Sequence, residues 1–89
     1  MVWRVQFKSR ALNQLRLLDS VQRQRIQRYL NERIAVLDDP RQLGLALQGK
    51  SYKGLWRYRV GDYRILAEIK DDVLTILVIE IGHRRDIYK

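Results

Sequence analysis

Eighty-nine residues leave room for one hydrophobic core, so the chain reads as a single domain over residues 1–89. It contains no cysteine, which excludes disulfides and thiolate metal sites. Its net charge of +8 comes from 18 Lys and Arg against 10 Asp and Glu, and 13 of the 18 are arginine, a residue that forks onto phosphate and carboxylate. That balance points to an anionic partner, nucleic acid or acidic protein, with a generic basic soluble domain as the plain alternative.

The start of the chain, Met1 to Val5, lacks the apolar stretch of a secretion signal. No segment approaches the ~20 apolar residues of a membrane span. The longest apolar run, Val73 to Ile81, is interrupted by Thr75 and Glu80. A cytoplasmic location without membrane association is the expectation.

Residues 2 to 8 alternate, with Trp3, Val5 and Phe7 on one face and Arg4, Gln6 and Lys8 on the other, as in a half-buried strand. Ser9 offers a helix N-cap, after which Ala11, Leu12, Leu15 and Leu18 recur at helical spacing. Asp19-Ser20 breaks and recaps the chain. A second helix of about 18 residues carries the stripe Ile26, Tyr29, Leu30, Ile34 and Leu37, with arginines and glutamines outside, and Asp38-Asp39-Pro40 ends it. Its arginine-rich outer face is either a docking surface or an ordinary solvated face.

A connector over residues 40–54 holds Pro40, Gly44, Gly49 and Gly54, with Leu43, Leu45 and Leu47 expected to point inward. Three strands follow. Leu55–Val60 turns through Gly61-Asp62 into Tyr63–Lys70, and Asp71-Asp72 turns into Val73–Ile81, apolar on both faces as a central strand would be. The order β-α-α-β-β-β implies an α+β fold: an antiparallel four-stranded sheet with a helical hairpin on one face.

The turns set a strand register. A two-residue loop at Gly61-Asp62 pairs Val60 with Tyr63, Arg59 with Arg64 and Tyr58 with Ile65. Arg57, Arg59 and Arg64 then share one face, opposite Trp56, Tyr58 and Ile65. A two-residue loop at Asp71-Asp72 would place Ile81 opposite Asp62, so that Gly82-His83-Arg84-Arg85 leaves the sheet beside the first turn. Arg57, Arg59, Arg64 and Arg84 should therefore converge at one end of the sheet. Two opposed cations ~5.5 Å apart repel by roughly 3 kcal/mol at an effective dielectric of 20, so such a cluster reads as an anion site. The alternatives are splaying into solvent or pairing with Asp62, Glu80 and Asp86.

The stretches Leu47-Gln48-Gly49, Gly54-Leu55-Trp56-Arg57-Tyr58-Arg59-Val60-Gly61-Asp62-Tyr63-Arg64 and Gly82-His83-Arg84-Arg85-Asp86-Ile87-Tyr88 resemble the RelE branch of the RelE/ParE toxin superfamily. With the strand-helix-helix segment before them, the resemblance covers essentially the whole chain. It implies a RelE-like microbial ribonuclease fold and a toxin of a type II toxin–antitoxin system. Such a toxin cleaves messenger RNA in the A site of the 70S ribosome, without metal, by attack of the ribose 2′-OH on the adjacent phosphate. The products are a 2′,3′-cyclic end and a free 5′-OH.

Carried over, Arg57 matches a basic position on the second strand. Arg64 and Arg84 match arginines that grip the scissile phosphate, and Tyr88 matches a tyrosine that stacks on a base or orients substrate. His83 stands where relatives carry lysine or histidine. Arg59, Lys50, Lys53 and Arg85 complete the expected phosphate-binding set. The family's basic residue two positions before Arg57 is Leu55 here, with Lys50 and Lys53 just upstream, which leaves the general base open. An acidic, RelB-like antitoxin is the implied partner, and the toxin–antitoxin complex is expected to bind operator DNA.

On chemical grounds, 2′-OH attack needs the hydroxyl deprotonated, the pentacoordinate phosphate stabilised and the 5′-oxygen protonated. The arginines meet the second need and the ribosome could supply orientation. His83 is the only side chain that titrates near neutrality unperturbed, and reads equally as acid, base or a satisfied histidine at a strand end. Tyr88 reads as a stacking platform or as sheet packing. Trp3 and Trp56 fall on apolar faces and belong to the core. One histidine and no cysteine argue against a zinc site, and no other metal or cofactor is expected; no Gly-rich phosphate loop or nucleophile-elbow serine occurs. Two other functions fit the same fold: a ParE-like, non-enzymatic inhibitor of DNA gyrase, and a non-catalytic RNA-binding module.

Overall fold

The computed structural model describes residues 2–83. Strand β1 (Arg4–Phe7) leads into helix α1 (Ser9–Arg16) and helix α2 (Ser20–Arg28), which continues as a π-helical turn over Tyr29–Ile34. A 3₁₀ turn at Pro40–Leu43 precedes the two-residue strand β2 (Leu45–Ala46), and a second 3₁₀ turn spans Lys50–Tyr52. Strands β3 (Leu55–Val60), β4 (Tyr63–Lys70) and β5 (Thr75–His83) complete the described chain.

The expected α+β class holds, but the sheet differs from the expected four antiparallel strands. Among the described residues it has five strands in the order β1-β5-β4-β3-β2, and β1 runs parallel to β5. The added strand comes from the connector: Leu45 pairs with Arg57 and Ala46 with Trp56 on the outer edge of β3. Because β2 lies on the sheet rim, Leu43 and Leu45 are 44% and 58% exposed instead of pointing inward.

Local chemistry explains the helices. The Asp19 carboxylate accepts the Gln22 N–H at 2.9 Å and caps α2 as expected, whereas Ser9 is the first helical residue and Lys8 takes the cap position without a side-chain bond. The single long second helix is interrupted: Ala35 N–H reaches Leu30 O at 2.8 Å, five residues back, in a π turn. The apolar stripes survive this change, since Ala11, Leu15, Ile26, Leu30 and Ile34 are all fully buried. They pack against Tyr58, Val60, Ile65, Ala67, Ile76, Val78 and Ile81, and Trp3 joins the same core.

The Gly61-Asp62 hairpin forms with the expected pairs, Val60 with Tyr63, Arg59 with Arg64 and Tyr58 with Ile65, and Gly61 supplies the positive φ of 59°. The second hairpin does not follow the expected count. Asp71–Val73 makes a 3₁₀ turn and Leu74 adopts a left-handed conformation at φ 47°, so Lys70 pairs with Thr75. A bulge at Leu66/Ala67 then shifts the ladder by one more residue, and Ile81 lies opposite Ile65 instead of Asp62. The bulge keeps Ile81 in the core while bringing Gly82 opposite Arg64 and His83 opposite Tyr63.

Two side-chain devices fix the periphery. Where β1 ends, the Ile81 N–H donates to Gln14 Oε1 of α1 at 2.7 Å, closing the exposed edge of β5. At the opposite side, the Tyr58 hydroxyl, fully buried, donates to Pro40 O at 2.7 Å and holds the connector to the sheet. No helix is long and apolar enough to cross a membrane.

Candidate nucleic-acid interface

The sheet face turned away from the helices carries the basic side chains singled out from the sequence. Alternation along β3 puts Arg57 and Arg59 on this face, and the hairpin register sets Arg64 directly across from Arg59. Arg57 lies between Leu45 of β2 and Leu66 of β4, so it is half-buried, while Arg59 is exposed near the turn. Arg64 is 3% exposed. A guanidinium kept charged at such depth is a fixed positive charge in a low-dielectric setting, where its field acts strongly on a neighbouring anion. Arg64 meets bulk solvent least of the three, and Arg59 is the one presented first to an approaching ligand.

His83 ends β5 across from Tyr63, and their rings meet edge-on with centroids 5.7 Å apart. It is exposed and one residue from Gly82, the partner of Arg64, so the structure does bring it to the arginine end of the sheet. Lys50 and Lys53 are placed elsewhere. Both are exposed in and after the Lys50–Tyr52 turn, beyond the start of β3, whereas Arg59 is at its far end. At the ~3.3 Å rise of a strand residue, Lys53 and Arg59 are about 20 Å apart along the chain direction. Arg84, Arg85 and Tyr88 lie outside the described residues.

The sequence reading missed several features away from this face. Arg41 binds Asp71 through two bonds of 3.2 and 2.5 Å, touches Asp39 at 3.1 Å, and stacks over the Trp56 ring at 5.9 Å. Its hydrogen bonds to Asp71 hold that carboxyl below the usual carboxylate range and raise the guanidinium in turn. Burial pushes the Tyr58 phenol well above its ordinary value, so it stays protonated as the donor to Pro40. A second basic feature is a groove of about 720 Å³ between α2 and the β3–β4 turn, with Arg25, Arg33 and Arg59 among its lining residues. The spacing of positions 21, 25, 28 and 32 along one helix face was its only sequence signal. Among the described residues, no group of three His, Cys, Asp or Glu side chains comes together as a metal-binding set.

The family model for the ParE toxin of the type II toxin–antitoxin system parDE matches residues 5–88. The chain belongs to this family. Its fold is that of solved relatives as well. The chain is similar to the toxin–antitoxin complex RelBE2 from Mycobacterium tuberculosis, with a TM-score of 0.84, 23% identity, and coverage of 97% of this chain and 95% of that one. The archaeal RelE–RelB complex from Pyrococcus horikoshii superposes at 0.74, with 22% identity and 97% and 99% coverage. The intact E. coli RelBE complex gives 0.70, with 25% identity and 91% and 95% coverage. No curated protein matches the chain in sequence. The ParE-family chain is thus a toxin of a type II toxin–antitoxin system, built on the fold shared with RelE toxins.

Proposed function

We propose that this toxin is a metal-independent endoribonuclease that cleaves messenger RNA in the ribosomal A site and is held inactive by an acidic, RelB-like antitoxin. The observation that carries the reading is the arginine set on the open sheet face: Arg59 directly opposite Arg64, with Arg57 two residues along, on a face the helices leave uncovered.

In this reading Arg59 and Arg57 receive the RNA backbone, and Arg64 with Arg84 stabilises the charge that develops on the pentacoordinate phosphate. His83, beside Tyr63 at the same end, exchanges the proton with the 2′-OH or the 5′-oxygen. Tyr88 stacks on a base and Arg85 contacts an adjoining phosphate. Lys50 and Lys53, at the other end of β3, extend the backbone track instead of joining the reacting centre. The ribosome orients the message, and the cytoplasm is the compartment where it is met. Antitoxins bound to the RelE-type neighbours support a protein inhibitor. Binding of operator DNA by the toxin–antitoxin complex is part of the same proposal.

The test is primer extension on ribosomes programmed with a short message, comparing wild type with Arg57→Ala, Arg64→Ala and Arg84→Ala. A-site cuts that persist with EDTA and fall by about 10²–10³-fold in each variant are expected, the usual effect of removing one transition-state donor. Circular dichroism confirms folding of the Arg64 variant, which alters a buried position. Absence of cleavage by folded wild type would refute the reading. The family match favours one second reading, a non-enzymatic ParE-like inhibitor of DNA gyrase, which inhibition of supercoiling by the same protein would establish.

A further inference from the structure

The open sheet face carries a carboxylate beside its arginines. Strand pairing sets Arg57 of β3, Leu66 of β4 and Glu80 of β5 in one row, and Arg59, Arg64 and Gly82 in the next. Arg64 is therefore a diagonal neighbour of Glu80, at the roughly 7–8 Å that two long side chains span. Gly82, the residue of β5 opposite Arg64, adds no side chain there. Among the described residues the strands bring one other carboxylate to this face, Glu68. It lies one row further from the arginines, in the row of Leu55 and Leu77, and pairs with Lys70 at 3.7 Å.

The Glu80 side chain is 25% exposed, and its Oε1 meets Nη2 of Arg10 on α1 at 3.3 Å. Its Oε2 has no bonded partner among the described residues and opens to solvent. One oxygen held by a fixed partner and one left open is the arrangement a proton acceptor needs. An ion pair to a side chain 71% exposed adds little to the fold, and a carboxylate beside Arg64 works against phosphate binding. Its place on this face calls for chemistry that uses a negative charge. His83 does not supply that charge from the same side. It pairs with Tyr63, whose ring packs on the helix-side core, so alternation turns His83 to that side at the rim of the sheet. The row of Arg59 and Arg64 thus lies between Glu80 and His83, which are about 10 Å apart along β5 at ~3.3 Å per residue. In-line displacement puts the attacking and leaving oxygens on opposite sides of phosphorus, and this order puts one proton-transfer group on each side of the arginines.

We propose that Glu80 is the general base of the cleavage, its Oε2 taking the proton of the ribose 2′-OH while Arg59 and Arg64 hold the adjacent phosphate. The proposal rests on the ribonuclease reading above and adds to it the side chain that accepts the first proton. The 2′-oxygen forms its bond to phosphorus as its proton passes to Glu80. The bond from phosphorus to the 5′-oxygen breaks with its electron pair on that oxygen, which takes a proton from His83. Glu80 then releases its proton to solvent and His83 regains one, so neither is consumed. Arg10, which holds Oε1, is a positioning residue.

The test is single-turnover cleavage of a short message on programmed ribosomes over a range of toxin concentrations, which separates the saturated rate from the half-saturating concentration. Glu80→Gln keeps the shape of the side chain and removes its charge. Its saturated rate should fall about 10²–10³-fold, while half-saturation holds or moves to lower concentration, because a charge that repels phosphate is gone. Glu80→Asp should restore about tenfold over Gln, and Arg10→Gln should lose no more than about tenfold. Glu68→Gln, the same charge change one row further from the arginines, should alter the rate by less than about threefold. A second message carries sulfur in place of the bridging 5′-oxygen at the cut, a leaving group that needs no proton. On it His83→Ala should recover toward wild type and Glu80→Gln should not. Four results would each overturn the assignment: a saturated rate of Glu80→Gln within about threefold of wild type, equal losses in Arg10→Gln and Glu80→Gln, half-saturation that worsens along with the rate, or recovery of Glu80→Gln on the sulfur message. Cleavage that survives Glu80→Gln removes this proposal alone. Absence of cleavage by folded wild type removes the ribonuclease reading, and this proposal with it.

Discussion

Replacing Tyr58 by phenylalanine removes one oxygen from the centre of the fold. Tyr58 is fully buried, and its hydroxyl donates to Pro40 O at 2.7 Å, the bond that ties the Pro40–Leu43 turn to the sheet. Pro40 is itself fully buried, so its carbonyl has little access to water once the donor is gone. A lost bond of about 1 kcal/mol together with a partly orphaned acceptor gives a cost of about 2 kcal/mol. For a domain of this size that lowers Tm by roughly 8–16 °C, and the urea midpoint by about 1 M.

Urea unfolding followed by Trp3 and Trp56 fluorescence measures the effect, one tryptophan being buried and the other half-buried. The slope should stay constant, because the substitution leaves the exposed area of the unfolded chain nearly unchanged. The same residue gives an alkaline signature. Burial raises the folded phenol above its unfolded value near 10. Its contribution is therefore complete below pH 10 and is lost as pH rises above it, because the unfolded chain releases the proton first. Tyr58→Phe should lack that part of the alkaline loss. A cost below about 0.5 kcal/mol, with an unaltered alkaline limb, would refute the role given to this hydroxyl.

Three further outcomes are expected. Gly44→Ala should destabilise by about 1–3 kcal/mol in urea, because the added Cβ meets Tyr58 Cε1 at 3.0 Å and Cζ at 3.1 Å; truncating the ring in Tyr58→Leu should shrink that cost in a double-mutant cycle. Gln14→Ala should cost about 1–2 kcal/mol and speed hydrogen exchange at the Ile81 amide, which loses its acceptor. Asp71→Asn should flatten the acid side of the stability profile. The Arg41 bonds lower the Asp71 pKa in the fold, so its contribution is present above the ordinary carboxylate value near 4 and is lost as pH falls through the lowered one.

The parts of this fold legible in the sequence are those with local rules. The Gly61-Asp62 turn fixes its register because a two-residue hairpin leaves no freedom in counting, and it placed Arg59 against Arg64 correctly. The helix stripes were readable from spacing, and the Asp19 cap from residue type. The second hairpin was not, because Leu74 enters the left-handed region without a glycine to announce it and the Leu66/Ala67 bulge has no sequence mark. Strand β2 is two residues long, too short to show alternation, and the parallel pairing of β1 with β5 links segments about seventy residues apart. Among the candidate residues, the β3–β4 register placed Arg57, Arg59 and Arg64 on one face, whereas His83 reached the same end through a different β4–β5 register from the one counted. Lys50 and Lys53 precede the start of β3, the end away from Arg59, as their place in the sequence implies.

The strand order also sets a timetable for the newborn toxin. β5 sits between β1 and β4, yet it is the last strand of the described chain to be made. At 5–20 residues per second, β1 waits roughly 3–14 s after its own synthesis for Thr75–His83 to emerge and pair with it. During that interval the β3–β4 hairpin has the register its own turn sets but no β5 beside it. A message cut short before β5 yields a product without the strand that joins β1 to β4.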